Sequence, residues 1–109
     1  MNSTNRKNTY TGDTSLCDDG LTEGWYRFEG GAGTRMPTKL VGMNRCGTAF
    51  PGWLKGNHPT VADGVVAREV CFHQCDGNSN IINVKNCTSY FIYRLLPTKG
   101  CPRRYCGTD

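Results

Sequence analysis

The sequence predicts an all-β (or β-rich irregular), disulfide-stabilised small domain of five to six short antiparallel strands. Three observations carry that expectation. Short runs of β-branched and aromatic residues recur about every 8–12 residues between Gly, Pro, Asn and Asp turn signals. No window shows the helical period, and 14 glycines and 5 prolines interrupt the chain too often for long helices. Seven cysteines in 109 residues exceed ordinary usage several-fold, and cross-links are how a chain with a modest core holds one shape.

Along the chain, residues 1–16 are polar and aperiodic, which reads as a flexible lead-in to a domain over 17–109. They hold no apolar run of signal-peptide type, so Met1 reads as the start of an excised or expressed fragment. Trp25-Tyr26-Arg27-Phe28 is the first strand candidate, closed by Glu29-Gly30-Gly31-Ala32-Gly33, where glycines permit a tight reversal. Arg35-Met36 resumes the chain and Lys39-Leu40-Val41 continues it as an edge, with Pro37 excluding a central strand. Residues 47–59, with two prolines and three glycines, read as a loop carrying an exposed Trp53-Leu54.

The stretch from Gly64 to Phe72 reads as a long strand between Asp63-Gly64 and Asp76-Gly77. Residues 80–87 alternate, with Ile82 and Val84 on one face and Asn83 and Lys85 on the other. Tyr90-Phe91-Ile92-Tyr93-Arg94-Leu95-Leu96 is the most β-prone run and ends at Pro97. These last two strands are expected to form a hairpin across Cys87-Thr88-Ser89.

Composition excludes several classes. No apolar stretch approaches the roughly 20 residues of a membrane span, so membrane insertion by this segment is not expected. Eleven aromatics and the β-branched runs give the chain enough to bury, which argues against disorder despite a mean hydropathy of −0.54. The net charge is +4 without a basic stripe: only Arg6-Lys7 and Arg103-Arg104 sit side by side, and both read as solvated surface. Nucleic acid is therefore not an expected partner.

The cysteines are Cys17, Cys46, Cys71, Cys75, Cys87, Cys101 and Cys106, and none forms a C-x-x-C pair. Cys71-Phe72-His73-Gln74-Cys75 has the residue types of half a zinc site, but the other half is missing, with only the distant His58 left to supply a ligand. Disulfides in an oxidising compartment are the expected use, with no metal and no cofactor. The odd count leaves one thiol that is free or bonded outside this chain. Two sequons, Asn2-Ser3-Thr4 and Asn86-Cys87-Thr88, are glycosylation candidates.

Catalytic constellations are absent from the pattern. Only His58 and His73 are available as bases, and no Gly-x-Ser-x-Gly elbow surrounds a serine. Asp18-Asp19 are adjacent, so on an extended strand they point to opposite faces and cannot share a substrate; capping a turn is their expected role. Asp76-Gly77-Asn78-Ser79-Asn80 opens like a calcium loop, but Ile81 and Cys87 stand where glycine and a bidentate glutamate are required, so a polar turn is expected. Trp53, Leu54, Asn57 and His58 make a candidate binding loop, since an exposed Trp anchors ligands well.

Laid end to end, these segments resemble a known family, the eight-cysteine domain of uromodulin and the pancreatic secretory-granule glycoprotein. The resemblance runs through Cys17-Asp18-Asp19, Gly24-Trp25-Tyr26-Arg27-Phe28, Met36-Pro37, Cys46-Gly47-Thr48 and the stretch from Pro51 to Pro59. It continues through Gly64-Val65-Val66-Ala67-Arg68, Val84-Lys85-Asn86-Cys87, Tyr93-Arg94-Leu95 and Tyr105-Cys106. The resemblance implies disulfides Cys17–Cys101, Cys46–Cys106 and Cys71–Cys75, with Cys87 reaching a cysteine upstream of this segment. Two family cysteines are missing, one near Leu40 and one at Gln74; if they are partners, a whole bridge was lost and no thiol orphaned. The family's glycan-bearing strand position holds Arg94 here, so that glycan does not carry over.

What the resemblance implies for function is an extracellular, non-catalytic interaction module of a mosaic secreted or cell-surface glycoprotein. Its role would be adhesion or ligand and glycan presentation, and it would be flanked by other extracellular domains. Its partner would be a protein or glycan outside the cell. The alternative is a lectin-like module that binds carbohydrate directly through the Trp53–His58 loop.

Overall fold

The computed structural model describes all residues 1–109. Six strands form one mixed sheet: β1 (Gly24–Tyr26), β2 (Phe50–Lys55), β3 (Val65–Phe72), β4 (Asn80–Asn86), β5 (Phe91–Leu95) and β6 (Arg103–Tyr105), in the order β1-β5-β4-β3-β2-β6. The fold is all-β. The long β3 and β4 pair antiparallel from Val65↔Lys85 to Val70↔Asn80. β4 and β5 form a hairpin with Val84 opposite Tyr93. Its turn is closed by the Cys87 N–H donating to the Tyr90 carbonyl at 2.8 Å, with Thr88 at φ +76°.

Alternation decides which face is buried. Ile82 and Val84 of β4, Val70 and Phe72 of β3, Tyr93 and Leu95 of β5, Leu54 of β2 and Tyr105 of β6 all point to one side. Phe28, Ala32 and Met36 cover them from the segment that follows β1. A residue shifted by one would face water, as Ile81 does at 61% exposure, so the period of two fixes the register. Gly33 has φ +87°, and a Cβ there would run into the Thr108 carbonyl oxygen. Glycine is therefore required where this covering segment crosses the C-terminus.

Several expectations are corrected. Within residues 1–16, expected as a flexible lead-in, the first six pack against the sheet: residues 4–6 form a 3₁₀ turn, Arg6 is buried, and the Met1 ammonium donates to the Arg27 carbonyl at 2.9 Å. Residues 47–59 are not a plain loop, because Phe50–Lys55 is β2, paired with both β3 and β6. Pro51 is accommodated there because the pairing of β2 with β3 begins only at Gly52. No strand forms over 35–41; Lys39 and Leu40 are exposed and Met36 serves the core instead.

Arg103-Arg104, expected as solvated tail, belong to β6, which runs parallel to β2 and is the one departure from antiparallel pairing. The Arg104 guanidinium is buried and donates to the Asn5 side-chain oxygen at 2.9 Å and to the Cys46 carbonyl at 3.2 Å. Burial, with Arg6 nearby, lowers its pKa to about 10, so it remains charged at neutral pH.

Candidate functional site

Three disulfides lock the molecule. Cys17 is bonded to Cys101 with Cα atoms 5.5 Å apart, Cys46 to Cys106 at 5.4 Å, and Cys71 to Cys75 at 4.9 Å. The first joins the segment before β1 to the approach to β6, and the third closes a four-residue loop at the end of β3. Cys87 is half-buried at the β4–β5 turn and unbonded. Two clusters have metal-ligand residue types, Cys17 with Asp19 and Cys101, and Glu69 with Cys71 and Cys75. In both, the sulfurs are disulfide sulfurs and offer no thiolate.

The segments that hold Leu40 and Gln74 touch. His73, beside Gln74, bonds through Nδ1 to the Val41 carbonyl at 3.1 Å, and Val41 follows Leu40. Val41 packs with the wholly buried Cys46 and Cys106, and Trp53 lies against them.

The candidate loop Trp53, Leu54, Asn57 and His58 is not one surface. Adjacent strand residues face opposite ways, so Leu54 is fully buried in the main core while Trp53 lies on the other side of β2. The Trp53 indole N–H donates to the His73 carbonyl at 2.9 Å. Asn57 is exposed, and its carbonyl accepts from Arg68 Nε at 2.9 Å. His58 turns inward instead, its ring 4.3 Å from that of Phe91 and its Nε2 2.7 Å from the Tyr93 hydroxyl.

That histidine is structural. Burial foremost, then the positive charges of Arg35 and Arg68, pull its pKa down to about 4. The neutral ring shares a hydrogen bond with the Tyr93 hydroxyl, whose oxygen also accepts the Met36 N–H at 3.0 Å. The unfolded chain takes up a proton near 6.5 and the folded one only near 4. The stability held by the neutral ring is therefore complete above pH 6.5 and drains away as pH falls toward 4. We expect the stability read from urea denaturation to drop between pH 7.5 and pH 5 by on the order of 1–2 kcal/mol, discounted for the ring's partial exposure. His58→Gln should flatten that slope; an unchanged slope would place the titrating group elsewhere.

The two sequons differ in availability. Asn2 is exposed. Asn86 is engaged at both ends of its amide: Nδ2 donates to the Pro59 carbonyl at 3.1 Å and Oδ1 accepts the Thr88 N–H at 2.8 Å. The turn opened by Asp76 is polar, its carboxylate accepting the Asn78 N–H at 3.2 Å, which holds its pKa below the usual carboxylate value.

The molecule has one concavity, about 300 Å³, beside the β4–β5 turn. It is lined by Thr34, Arg35, Asn86, Thr88, Ser89, Tyr90 and Phe91. Sequence reasoning missed it because its two walls, residues 34–35 and 86–91, lie about fifty positions apart and neither carries a motif. Arg35 beside Phe91 is visible only once β5 and the segment after β1 have packed.

Comparison with known proteins places these features. Residues 26–107 match the family described as the uromodulin-like domain. The chain is 43% identical over 105 residues to the pancreatic secretory granule membrane major glycoprotein GP2 of Canis lupus familiaris, covering 93% of this chain and 20% of that protein. To uromodulin of Mus musculus it is 45% identical over 94 residues, covering 83% of this chain and 14% of that protein. It thus spans a fifth or less of the length of these relatives. They are secreted or cell-surface extracellular glycoproteins, and outside the cell is where three disulfides persist. Matched over three-quarters of its length and sharing these two relatives' sequence at better than two residues in five, this chain, with seven cysteines and three disulfides, belongs to the uromodulin-like domain family.

Proposed function

We propose that this chain is a non-catalytic interaction module of a longer mosaic glycoprotein, adhesive or ligand- and glycan-presenting in role. Its partner is a protein or glycan outside the cell, and other extracellular domains flank it. Family membership carries this reading: the chain is a small part of larger extracellular relatives. Both histidines support it, since His58 is bonded to the buried Tyr93 and His73 to the Val41 carbonyl rather than to a serine or a cysteine. No helix is long and apolar enough to cross a membrane. Cys87, in this reading, bonds a cysteine outside these residues.

The test is an array of extracellular proteins and glycans probed with the oxidised chain and with the reduced, alkylated chain. Saturable binding by the oxidised form alone is expected. Binding by neither form, or turnover of an arrayed ligand, overturns the proposal.

Glycan presentation falls to Asn2. Peptide mass spectrometry after enzymatic release of N-glycans should find secreted material occupied at Asn2 and bare at Asn86, because the Nδ2 atom that would carry the sugar on Asn86 is turned to the Pro59 carbonyl, in a hydrogen bond worth about 1 kcal/mol. Occupancy at Asn86 would contradict this.

A further inference from the structure

We propose that the cavity beside the β4–β5 turn binds an acidic sugar residue, with Arg35 holding its carboxylate or sulfate. This deepens the reading of the chain as an extracellular interaction module by giving it a ligand class and a site. The observation that carries it is a set of unused donors on the residues that line the molecule's single concavity. Arg35 is the only charged residue lining it, and its guanidinium takes part in no ion pair or hydrogen bond. Thr34, Thr88, Ser89 and Tyr90 line the same space, and none of their hydroxyls is spent on an intramolecular bond.

Charge and shape agree with an anionic, polyhydroxylated ligand. The Arg35 guanidinium lies 5.4 Å from the centre of the Phe91 ring, which holds the cation in place without neutralising it. A second cation, Arg27, sits 4.0 Å over the Tyr90 ring, its Glu29 partner distant at 3.8 Å. No carboxylate lines the cavity. A planar guanidinium fork matches a carboxylate or sulfate, while Ser and Thr hydroxyls suit sugar hydroxyls. At about 300 Å³ the space is at the small end of ligand sites, which favours one sugar residue over a longer chain.

The walls are already fixed. Thr34 and Arg35 both donate their N–H groups to the Thr108 carbonyl, at 2.8 and 3.1 Å. The opposite wall is the hairpin turn closed by Cys87 and Tyr90. A ligand therefore orders side chains and not backbone, which lowers the entropic cost of binding.

The test is an NMR titration of the ¹⁵N-labelled, oxidised chain with four probes: methyl α-N-acetylneuraminide, N-acetylglucosamine 6-sulfate, neutral methyl galactoside and inorganic sulfate. One or both acidic sugars should shift the amides of Thr34, Arg35 and Thr88–Tyr90 saturably, at roughly millimolar affinity. Which of the two does so identifies the acidic group. Arg35→Gln, a surface change that leaves the fold intact, should weaken binding about tenfold or more, as expected for a charge-assisted hydrogen bond. The proposal is overturned if neither acidic sugar shifts these residues, if methyl galactoside or sulfate ion binds as well as they do, or if Arg35→Gln binds like the parent. A disulfide map and amide spectrum of the same sample report on the module reading separately, so a folded chain that ignores acidic sugars sinks the site alone.

Discussion

A chain carrying Cys17→Ser and Cys101→Ser is expected to lose roughly 4–5 kcal/mol of stability, the loop-closure entropy returned to the unfolded state when a cross-link spanning 84 positions is removed. Net stabilities of small domains are about 5–15 kcal/mol, so this change brings the fold to the edge of existence at body temperature. The location of the bridge adds to the effect. Cys17 precedes the buried Asp18, and Cys101 precedes β6, so the bond holds the sheet's outer parallel strand to the N-terminal segment. Removing Cys46–Cys106, which spans 60 positions, should cost about 4 kcal/mol from loop entropy, with further loss because both sulfurs sit in a packed cluster. Removing Cys71–Cys75 should cost only about 2 kcal/mol. Guanidinium denaturation of the three double variants checks the ranking, and full reduction should abolish the near-ultraviolet circular dichroism. A fold that survives reductant unchanged would show that the apolar core alone sustains it.

The second large effect belongs to a buried ion pair. Asp18 accepts from Arg6 Nη1 at 2.6 Å and Nη2 at 3.0 Å, and its Oδ2 also accepts the Tyr105 N–H at 2.9 Å. Arg6 Nη1 donates to the Tyr105 carbonyl at 2.9 Å as well. The two side chains are 10% and 6% exposed, so neither can turn to water if its partner is lost. Asp18→Asn should therefore cost about 3–5 kcal/mol, mostly the penalty of an uncompensated buried guanidinium. Replacing both partners by apolar residues, Arg6→Met with Asp18→Leu, should recover only part of that loss: the desolvation of the pair is avoided, but the Tyr105 N–H and carbonyl lose their partners. The double-mutant cycle read from denaturation midpoints would show strong coupling. Additive single effects would mean that Arg6 finds water or another acceptor.

These two features differ in how far the sequence displays them. Alternation from residue 82 to 87 and the β-prone run over 90–96 made β4, β5 and their hairpin legible, because both signals are carried by neighbouring residues. β3 was legible as a β-branched run between glycine turns. β6 was not: three residues, two of them arginines, carry no strand pattern, and only pairing with β2 makes them one. The same applies to β2, where Pro51 and Gly52 read as loop residues until β3 and β6 flank them. Arg6 read as solvated because its partner lies twelve positions away on a segment with no regular structure.

By itself, the sequence determined an all-β domain dependent on disulfides, its longest strands, and the residues through which it belongs to its family. Only the tertiary structure decided that Arg6 is buried against the sheet, that the His58 ring turns inward onto Tyr93, and that Arg35 stands unpaired among free hydroxyls. The division has one physical cause. Strand periodicity is a local property that two or three neighbours reveal, whereas burial of a charge and the shape of a cavity depend on segments that meet only after the chain has closed on itself.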